Sequence, residues 1–186
     1  MKPKIKDSEL VQLNSPYQST TSFEKFLLKN KVINKNTKSI LDLGCGLGAQ
    51  INYLSRKFPK IDFVGWDYSK KQITKAKKIN KSKNNKFYVK DILKINKKYN
   101  FDLTISIQTF CCFKNMDKLL DSITNINSNW IAINSLFYNG PIDILVHMRE
   151  FGKNSLKDND PDGDFNIHSI TKMEKIALKK GYKIIK

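Results

Sequence analysis

The segment from Ile40 to Ala49 constrains the fold of this chain more than any other. A short apolar run typical of a buried strand leads into three alternating glycines, Gly44, Gly46 and Gly48, and then into a helical pattern. Closely spaced glycines let the backbone turn sharply and let a ligand approach without a Cβ in the way. The segment therefore predicts a strand, a ligand-binding turn and a helix, as in nucleotide-binding α/β folds.

Short apolar runs alternate with longer helical patterns along the rest of the chain, which indicates βα units and a parallel sheet. Strands are predicted at 39–43, 61–66, 87–89, 101–107 and 130–136. Helices are predicted at 49–58, after an N-cap at Ser69, and over the apolar positions between 116 and 126. We expect an α/β, doubly wound, mostly parallel Rossmann-like sheet of five to six strands with helices on both faces.

A single domain is expected over residues 1–186, because the chain has the length of one domain and shows no repeat or linker. Within it we distinguish an amino-terminal lid segment (1–37, with a helix near 17–28) and a core (38–136). A stretch with little regular pattern, 137–169, is longer than a connection needs and is expected to recognise a substrate. The last helix has Thr171 and Glu174 at capping-box spacing, ends at Gly181, and precedes a strand-like segment, 182–185.

The glycines alone do not choose a cofactor, because Gly44, Gly46 and Ala49 also satisfy the dinucleotide pattern G-x-G-x-x-G/A. Asp42 helps to distinguish between the possible cofactors. A carboxylate two residues before the first glycine would oppose the pyrophosphate of NAD, whereas it could accept a hydrogen bond from an ammonium group. S-adenosylmethionine carries such an ammonium and no phosphate.

The segment resembles motif I of class I methyltransferases, D/E-x-G-x-G-x-G, matched here by Asp42, Gly44, Gly46 and Gly48. The resemblance implies S-adenosylmethionine as cofactor, with Asp42 and the glycine loop, including Cys45, at its methionine part. The family usually adds a sixth and an antiparallel seventh strand, so this chain is expected to lack the usual last strand.

Two further acids follow predicted strands. Asp67 lies 19 residues after Gly48, where doubly wound folds place an acid that binds ribose hydroxyls. By the resemblance, Asp91 is expected at the adenine, and Ser106 at the end of the fourth strand joins the cofactor site. An Asp after a strand is also often a cap or turn residue, which is the alternative for Asp67 and Asp91.

The formal charge of +17 invites a nucleic-acid partner, yet only two of the 34 basic residues, Arg56 and Arg149, are arginines. Lysines are dispersed over nearly all predicted elements, so we interpret most of the charge as a solvated surface. No specific nucleic-acid binding is expected. Without a leader-like or membrane-spanning apolar run, a cytoplasmic protein without membrane contact is predicted.

Catalytic residues are not evident. The chain has neither the Asn/Asp-Pro-Pro-Tyr-like motif of amino-directed DNA methyltransferases nor the Pro-Cys pair of cytosine-C5 enzymes. Cys111 and Cys112 are expected to be small buried apolar residues. His147 and His168 are weak candidates for a general base. No metal is expected, since the calcium-like start at Asp158 has a serine at its twelfth position, Ser169.

These observations favour methyl transfer to an oxygen or nitrogen of a small molecule or glycan, driven by positioning rather than by a metal. The alternatives are an RNA methyltransferase, an NAD-dependent oxidoreductase, and a non-catalytic S-adenosylmethionine-binding module. The oligomeric state is not indicated.

Overall fold

A computed structural model describes residues 13, 15–149 and 162–186 of the chain. The contacts between these residues group into two compact units. The first contains the chain up to Ile107 together with Ser122–Asn134, and the second contains Gln108–Asp121 and Ser135–Lys186. One domain over residues 1–186 therefore stays a prediction.

The first unit is built on a five-stranded sheet in the order β3-β2-β1-β4-β5, in which every neighbouring pair is parallel. The strands are β1 (Ser39–Leu43), β2 (Asp62–Asp67), β3 (Asn85–Val89), β4 (Tyr99–Ile107) and β5 (Ile126–Asn134). The predicted α/β fold with a parallel Rossmann-like sheet is confirmed.

Three helices of this unit alternate with the strands: α1 (Gln18–Lys29), α2 (Ala49–Lys57) and α3 (Lys70–Ile79). Each buries an apolar face in one shared core with inward side chains of the strands, such as Ile40, Phe63 and Leu103. The predicted N-cap of α3 is confirmed, because the Ser69 hydroxyl accepts a hydrogen bond from the Gln72 N–H at 3.3 Å.

The strand order fixes where a ligand can bind. The chain runs outward from β1 through β2 to β3 and then returns to β4 on the other side of β1. In such sheets the ligand crevice lies outside the carboxyl ends of the strands, at the point where the order reverses. Here that point is the end of β1, where Leu43 is in register with Trp66 of β2.

Strand β5 is longer than predicted at its start. The sequence pattern places its beginning at Trp130, because Asn127, Ser128 and Asn129 interrupt the apolar run, and it leaves Ile126 on the preceding helix. In the structure Ile126 is already in register with Tyr99 of β4. A ladder depends on backbone groups, so polar side chains are tolerated on this outermost strand.

The second unit contains a short 3-10 turn (Phe110–Cys112), α4 (Met116–Ile123, which ends in the first unit) and α5 (Ile170–Lys179). Two small sheets accompany them: β6 (Phe137–Tyr138) pairs with β9 (His168–Ser169), and β7 (His147–Arg149) pairs with β8 (Asp162–Asp164). The sequence predicted little regular structure over 137–169, whereas the described part of this stretch contains the four strands β6 to β9. Its strands are two or three residues long, too short to give an alternating pattern.

Two predictions at the carboxyl end are wrong in detail. The cap of α5 is Ser169, whose hydroxyl accepts from the Lys172 N–H at 3.0 Å, and not the Thr171–Glu174 pair, which lies inside the helix. The segment 182–185 forms no ladder with any described strand, and a strand exists only with a partner. Gly181 ends the helix with a φ of 85°, as predicted. Among the described residues no helix is long and apolar enough to cross a membrane.

Candidate functional site

The glycine loop is anchored to the end of the neighbouring strand. The N–H groups of Gly44 and Cys45 both donate to the carbonyl of Trp66, at 2.8 and 3.0 Å, and the Gly48 N–H donates to the Cys45 carbonyl at 2.7 Å. Gly44, Gly46 and Gly48 have φ values of 74°, 51° and 74°, a region that side chains with a Cβ rarely adopt. The predicted turn is therefore a tight, internally bonded loop that needs its glycines.

Two of these glycines differ in their surroundings. A Cβ at Gly48 would lie 2.6 Å from the Phe87 ring and 2.9 Å from the Asn80 side-chain nitrogen, so Gly48 packs against the protein. A Cβ at Gly46 would meet no atom within 4 Å. Gly46 thus presents bare backbone to an open space, which is where a ligand could approach the loop.

Asp42 lies at the end of β1 and is only 2% exposed. Its Oδ2 atom is buried without a hydrogen-bond partner among the described residues. Burial, and secondly the nearby carboxylate of Asp67, raise the pKa of Asp42 to about 7. A buried carboxylate without a partner is costly for the free protein, and a cation placed beside it would relieve that cost.

Asp67 ends β2, as predicted, and both of its carboxylate oxygens accept hydrogen bonds from backbone N–H groups. Its Oδ2 accepts from the Gly46 N–H at 3.0 Å, and its Oδ1 accepts from the Ser69 N–H at 2.8 Å. The side chain therefore ties the glycine loop to the start of α3. Each oxygen has a second lone pair, so each can accept a further hydrogen bond from a hydroxyl group of a ligand.

These residues fit S-adenosylmethionine. Its ammonium group matches the unpartnered, buried Asp42 carboxylate, and the open side of Gly46 lets a ligand approach the backbone closely. An anionic pyrophosphate would instead face two carboxylates, Asp42 and Asp67. The local electrostatics thus favour a cationic ligand over NAD.

The other predicted cofactor residues have supporting contacts. The buried Ser106 hydroxyl donates to the carbonyl of Leu43 at 3.2 Å, which joins β4 to the end of β1. Cys45 is buried in the loop, and burial together with the charges of Asp42 and Asp67 holds its thiol pKa far above the ordinary range. Cys45 is therefore a neutral packing residue of the loop.

Asp91 caps the 3-10 turn Ile92–Lys94. Its Oδ1 accepts from the Leu93 N–H at 2.9 Å, and its Oδ2 lies 3.5 Å from the Lys94 ammonium. These contacts are those of a cap or turn residue, which is the alternative interpretation of Asp91. The assignment of Asp91 to the adenine stays a prediction.

An aromatic residue that the sequence reasoning did not single out follows Asp67 directly. Tyr68 is 81% exposed, so its ring is accessible at this edge of the sheet and could stack on a planar base. Its only signal in the sequence is its position beside the acid.

The two histidines, both in the second unit, have different environments. His168 is 1% exposed, and its Nε2 atom donates to the carbonyl of Phe110 at 3.1 Å. His147 is exposed, and its Nδ1 atom lies 3.0 Å from the carboxylate of Asp164. His147 is thus the more accessible of the two, and the assignment of either histidine as a general base stays a prediction.

The cysteine pair is only partly as predicted. Cys111 is buried, with its thiol 3.2 Å from the carbonyl of Gln108, but Cys112 is exposed. Both lie on one 3-10 turn, where Phe110 and Cys111 are buried and the last residue, Cys112, is exposed. A hydrogen bond with Cys112 lowers the pKa of the Cys111 thiol to about 7.

No group of three or more His, Cys, Asp and Glu side chains that could hold a metal ion occurs within residues 15–149 and 162–186. Most of the calcium-like sequence, from Asp158 to Pro161, lies outside the described residues.

Residues 34–135 match the model of a family described as a methyltransferase domain. The chain is 34% identical over 152 residues to malonyl-[acyl-carrier protein] O-methyltransferase 2 of Ilyobacter polytropus, covering 79% of this chain and 55% of that protein. It spans 39% of a malonyl-[acyl-carrier protein] O-methyltransferase from Bacillus anthracis, at 29% identity. The chain thus spans about two fifths to about half of the length of these curated relatives.

This chain is also similar to solved structures of methyltransferases. The plantazolicin methyltransferase BpumL, in complex with a pentazolic desmethylPZN analog and SAH, superposes with a TM-score of 0.54 at 28% identity, covering 69% of this chain and 52% of BpumL. An S-adenosylmethionine-dependent methyltransferase fold from Listeria monocytogenes gives a TM-score of 0.63 at 19% identity, covering 89% of this chain and 86% of that chain. SAH is the product left when S-adenosylmethionine has given up its methyl group. From its glycine loop, its sheet and its match over residues 34–135, the chain belongs to the class I methyltransferases, a family whose cofactor is S-adenosylmethionine.

Proposed function

We propose that this chain binds S-adenosylmethionine at the carboxyl edge of its sheet and transfers the methyl group to an oxygen or nitrogen of a small-molecule acceptor. The observation that carries the proposal is the buried Oδ2 atom of Asp42, which has no hydrogen-bond partner among the described residues and lies next to a loop whose Gly46 faces open space. A cationic ligand that forms an ion pair with the Asp42 carboxylate would explain why this carboxylate is buried.

Within the proposed site each residue has a separate task. Asp42 would accept a hydrogen bond from the ammonium of the methionine part, and the glycine loop would pack against the same part. Asp67 would accept from the ribose hydroxyls with its remaining lone pairs while it holds the Gly46 N–H at 3.0 Å. Asp91 would contact the adenine amino group, and Ser106 and Cys45 would support the loop and the end of β1.

When bound, S-adenosylmethionine supplies a methyl group activated by its positive sulfur. The acceptor oxygen or nitrogen forms a bond to the methyl carbon, the carbon–sulfur bond breaks, and the acceptor loses a proton to water or buffer. The positive charge of the sulfur is thereby removed. We expect alignment and exclusion of water to contribute more to the transfer than a strong base does.

An oxygen acceptor is favoured over nitrogen, because the curated relatives are O-methyltransferases. The substrate in the names of these relatives is a malonyl group on an acyl-carrier protein, and BpumL was solved with a pentazolic desmethylPZN analog. We therefore extend the acceptor class from free small molecules and glycans to small groups carried on a larger molecule. RNA remains a second candidate only through the charge of +17.

The test is transfer of a radiolabelled methyl group from S-adenosylmethionine by the purified chain. Malonyl thioesters, hydroxylated small molecules, oligosaccharides and bulk RNA serve as separate acceptors. We expect incorporation into one of the first three classes and its loss in the Asp42→Asn variant. Incorporation into RNA at a defined position would overturn the small-molecule proposal. Binding of the cofactor without transfer to any acceptor would support the non-catalytic module instead.

A further inference from the structure

Asn80 is a buried polar residue that the proposed chemistry does not use. It is 5% exposed and follows the last residue of α3. Its Nδ2 atom donates to the carbonyl of Leu47 at 2.9 Å and to the carbonyl of Ala76 at 3.0 Å. One side chain therefore connects the end of α3 to the glycine loop, 33 residues earlier in the chain.

The bond to Leu47 fixes one side of a single peptide plane. The carbonyl of Leu47 and the N–H of Gly48 belong to the same planar unit and point in opposite directions. Asn80 holds the carbonyl, and the Cys45 carbonyl holds the N–H at 2.7 Å. Because glycine at a φ of 74° tolerates several backbone orientations, the plane would be free to rotate without these two bonds.

The Asn80 side chain also packs directly against the glycine loop. A Cβ at Gly48 would lie 2.9 Å from the Asn80 Nδ2 atom, so the loop backbone rests directly on this amide. The Asn80 side chain is buried against Gly48, and its Oδ1 atom has no hydrogen-bond partner among the described residues, whereas Gly46 faces open space.

We propose that Asn80 is a positioning residue for the cofactor: it sets the orientation of the Leu47–Gly48 peptide and thereby the shape of the loop that S-adenosylmethionine contacts. The inference rests on the proposed function. It predicts that removing the Asn80 amide weakens cofactor binding although no cofactor contact is lost, because part of the binding energy is then used to order the loop.

The experiment compares SAH binding by calorimetry in the wild type, Asn80→Ala, Asn80→Asp and a control, Asn84→Ala. Asn84 makes the same kind of bond, from its Nδ2 atom to the Pro59 carbonyl at 2.9 Å, away from the loop. We expect SAH affinity to fall about three- to tenfold in Asn80→Ala and to stay at the wild-type value in Asn84→Ala. In an activity assay KM for S-adenosylmethionine should rise while kcat changes little.

The Asn80→Asp variant separates positioning from mere stability. When ionised, the new carboxylate repels the Leu47 carbonyl; when protonated, it can donate to it. The affinity ratio of wild type to variant should therefore shrink as the pH is lowered from about 8 to about 5.5. A pH-independent ratio, or Asn80 variants that melt earlier but bind SAH as tightly per folded molecule, would overturn the inference. If the wild type itself binds no SAH, the proposed function fails instead.

Discussion

The glycine-loop edge (residues 42–48 with Asp67) and the histidine segment (residues 143–149 with 162–169) both carry acids, but these acids are partnered differently. In the histidine segment, Asp164 faces His147 and Lys114, at 3.0 and 3.2 Å, and Asp143 accepts from the Ser169 N–H and from Lys172. At the glycine-loop edge, the Oδ2 atom of the buried Asp42 has no hydrogen-bond partner within the part of the chain that the structure describes. The atoms Asn166 Nδ2 and His168 Nδ1 of the histidine segment are also buried without a hydrogen-bond partner among the described residues, so the contrast concerns the carboxylates alone. The carboxylates of the histidine segment are satisfied by their neighbours, whereas a buried carboxylate oxygen without a partner points to a missing cation.

The pKa values show the same contrast. Burial opposes the shift at Asp143, but the Ser169 N–H and Lys172 hold the pKa of this acid below its ordinary value. His147 and Lys114 hold the pKa of Asp164 below its ordinary value in the same way. Burial raises the pKa of Asp42 to about 7. A raised acid pKa means that the folded protein binds more protons than the unfolded chain between about pH 4 and about pH 7. The contribution of Asp42 to stability is therefore greatest at low pH and is lost as the pH rises through 7.

The largest expected effect is that of Asp42→Asn. We expect S-adenosylmethionine affinity to fall about ten- to a hundredfold, since a hydrogen bond to a charged group contributes about 1.5–3 kcal/mol. In the absence of cofactor the same variant should be more stable than the wild type near pH 8, on the order of 3 kcal/mol, because the buried charge is gone.

Calorimetry and denaturant unfolding at pH 8 measure the two quantities. A variant that is both less stable and unchanged in affinity would identify Asp42 as an ordinary structural residue, and the contrast between the two regions would disappear.

The next effect is that of Asp67→Ala. Cofactor binding should weaken by about 1.5–3 kcal/mol, and unlike in Asp42→Asn, stability should fall by about 1–2 kcal/mol, because the Gly46 and Ser69 N–H groups lose their acceptor. Asp62→Ala is the matched control, since Asp62 is exposed at the opposite end of the same strand. If Asp67→Ala lowered the melting temperature but left the affinity per folded molecule unchanged, Asp67 would be a structural cap and not a cofactor-binding residue.

In the histidine segment we expect effects on stability rather than on chemistry. His168→Ala should lower the free energy of unfolding by about 2–3 kcal/mol, because it empties a buried site and frees the Phe110 carbonyl. His147→Ala should change it by less than about 1 kcal/mol, since its ion pair is exposed. If a folded His147 or His168 variant lost kcat at unchanged melting temperature, that histidine would be catalytic and this comparison would be wrong.

The smallest effect concerns the positive charge. Binding to duplex or single-stranded nucleic acid should be weak and independent of sequence, and it should disappear between about 50 and 200 mM salt, as counterion release alone predicts. Filter binding across this range, with several sequences, measures it. A preference for one sequence or structure that survives at the higher salt would return the RNA alternative to consideration.

The sequence predicted the sheet and the loop well because both follow from short-range patterns. The apolar runs at 39–43 and 61–66 and the glycine spacing after Leu43 depend on neighbouring residues alone. Asp42 and Asp67 could be predicted for the same reason, since each ends a strand that leads into a turn.

Other features depend on contacts between distant residues and could not be predicted. Nothing near Asn80 indicates that its amide reaches Leu47, and the two-residue strands β6 and β9 exist only because residues 31 positions apart, Phe137 and His168, meet. The cap at Ser169 was missed because Thr171 and Glu174 have the same spacing as a true capping box. Cys112 is exposed although Cys111 beside it on the same 3-10 turn is buried, a difference that apolar patterning does not reveal.

The most direct test of the central claim, that Asp42 is a carboxylate held ready for a cationic cofactor, is calorimetric titration of the wild type with S-adenosylmethionine, SAH and NAD at about pH 6 and about pH 7.5. We expect micromolar binding of the first two ligands, tighter at the higher pH because Asp42 must lose its proton on binding, and no heat with NAD. Repeating the titration in buffers of different ionisation enthalpy should show the released proton. Affinity that does not depend on pH, with no proton released, would contradict the role of Asp42, and binding of NAD in place of S-adenosylmethionine would contradict the whole account.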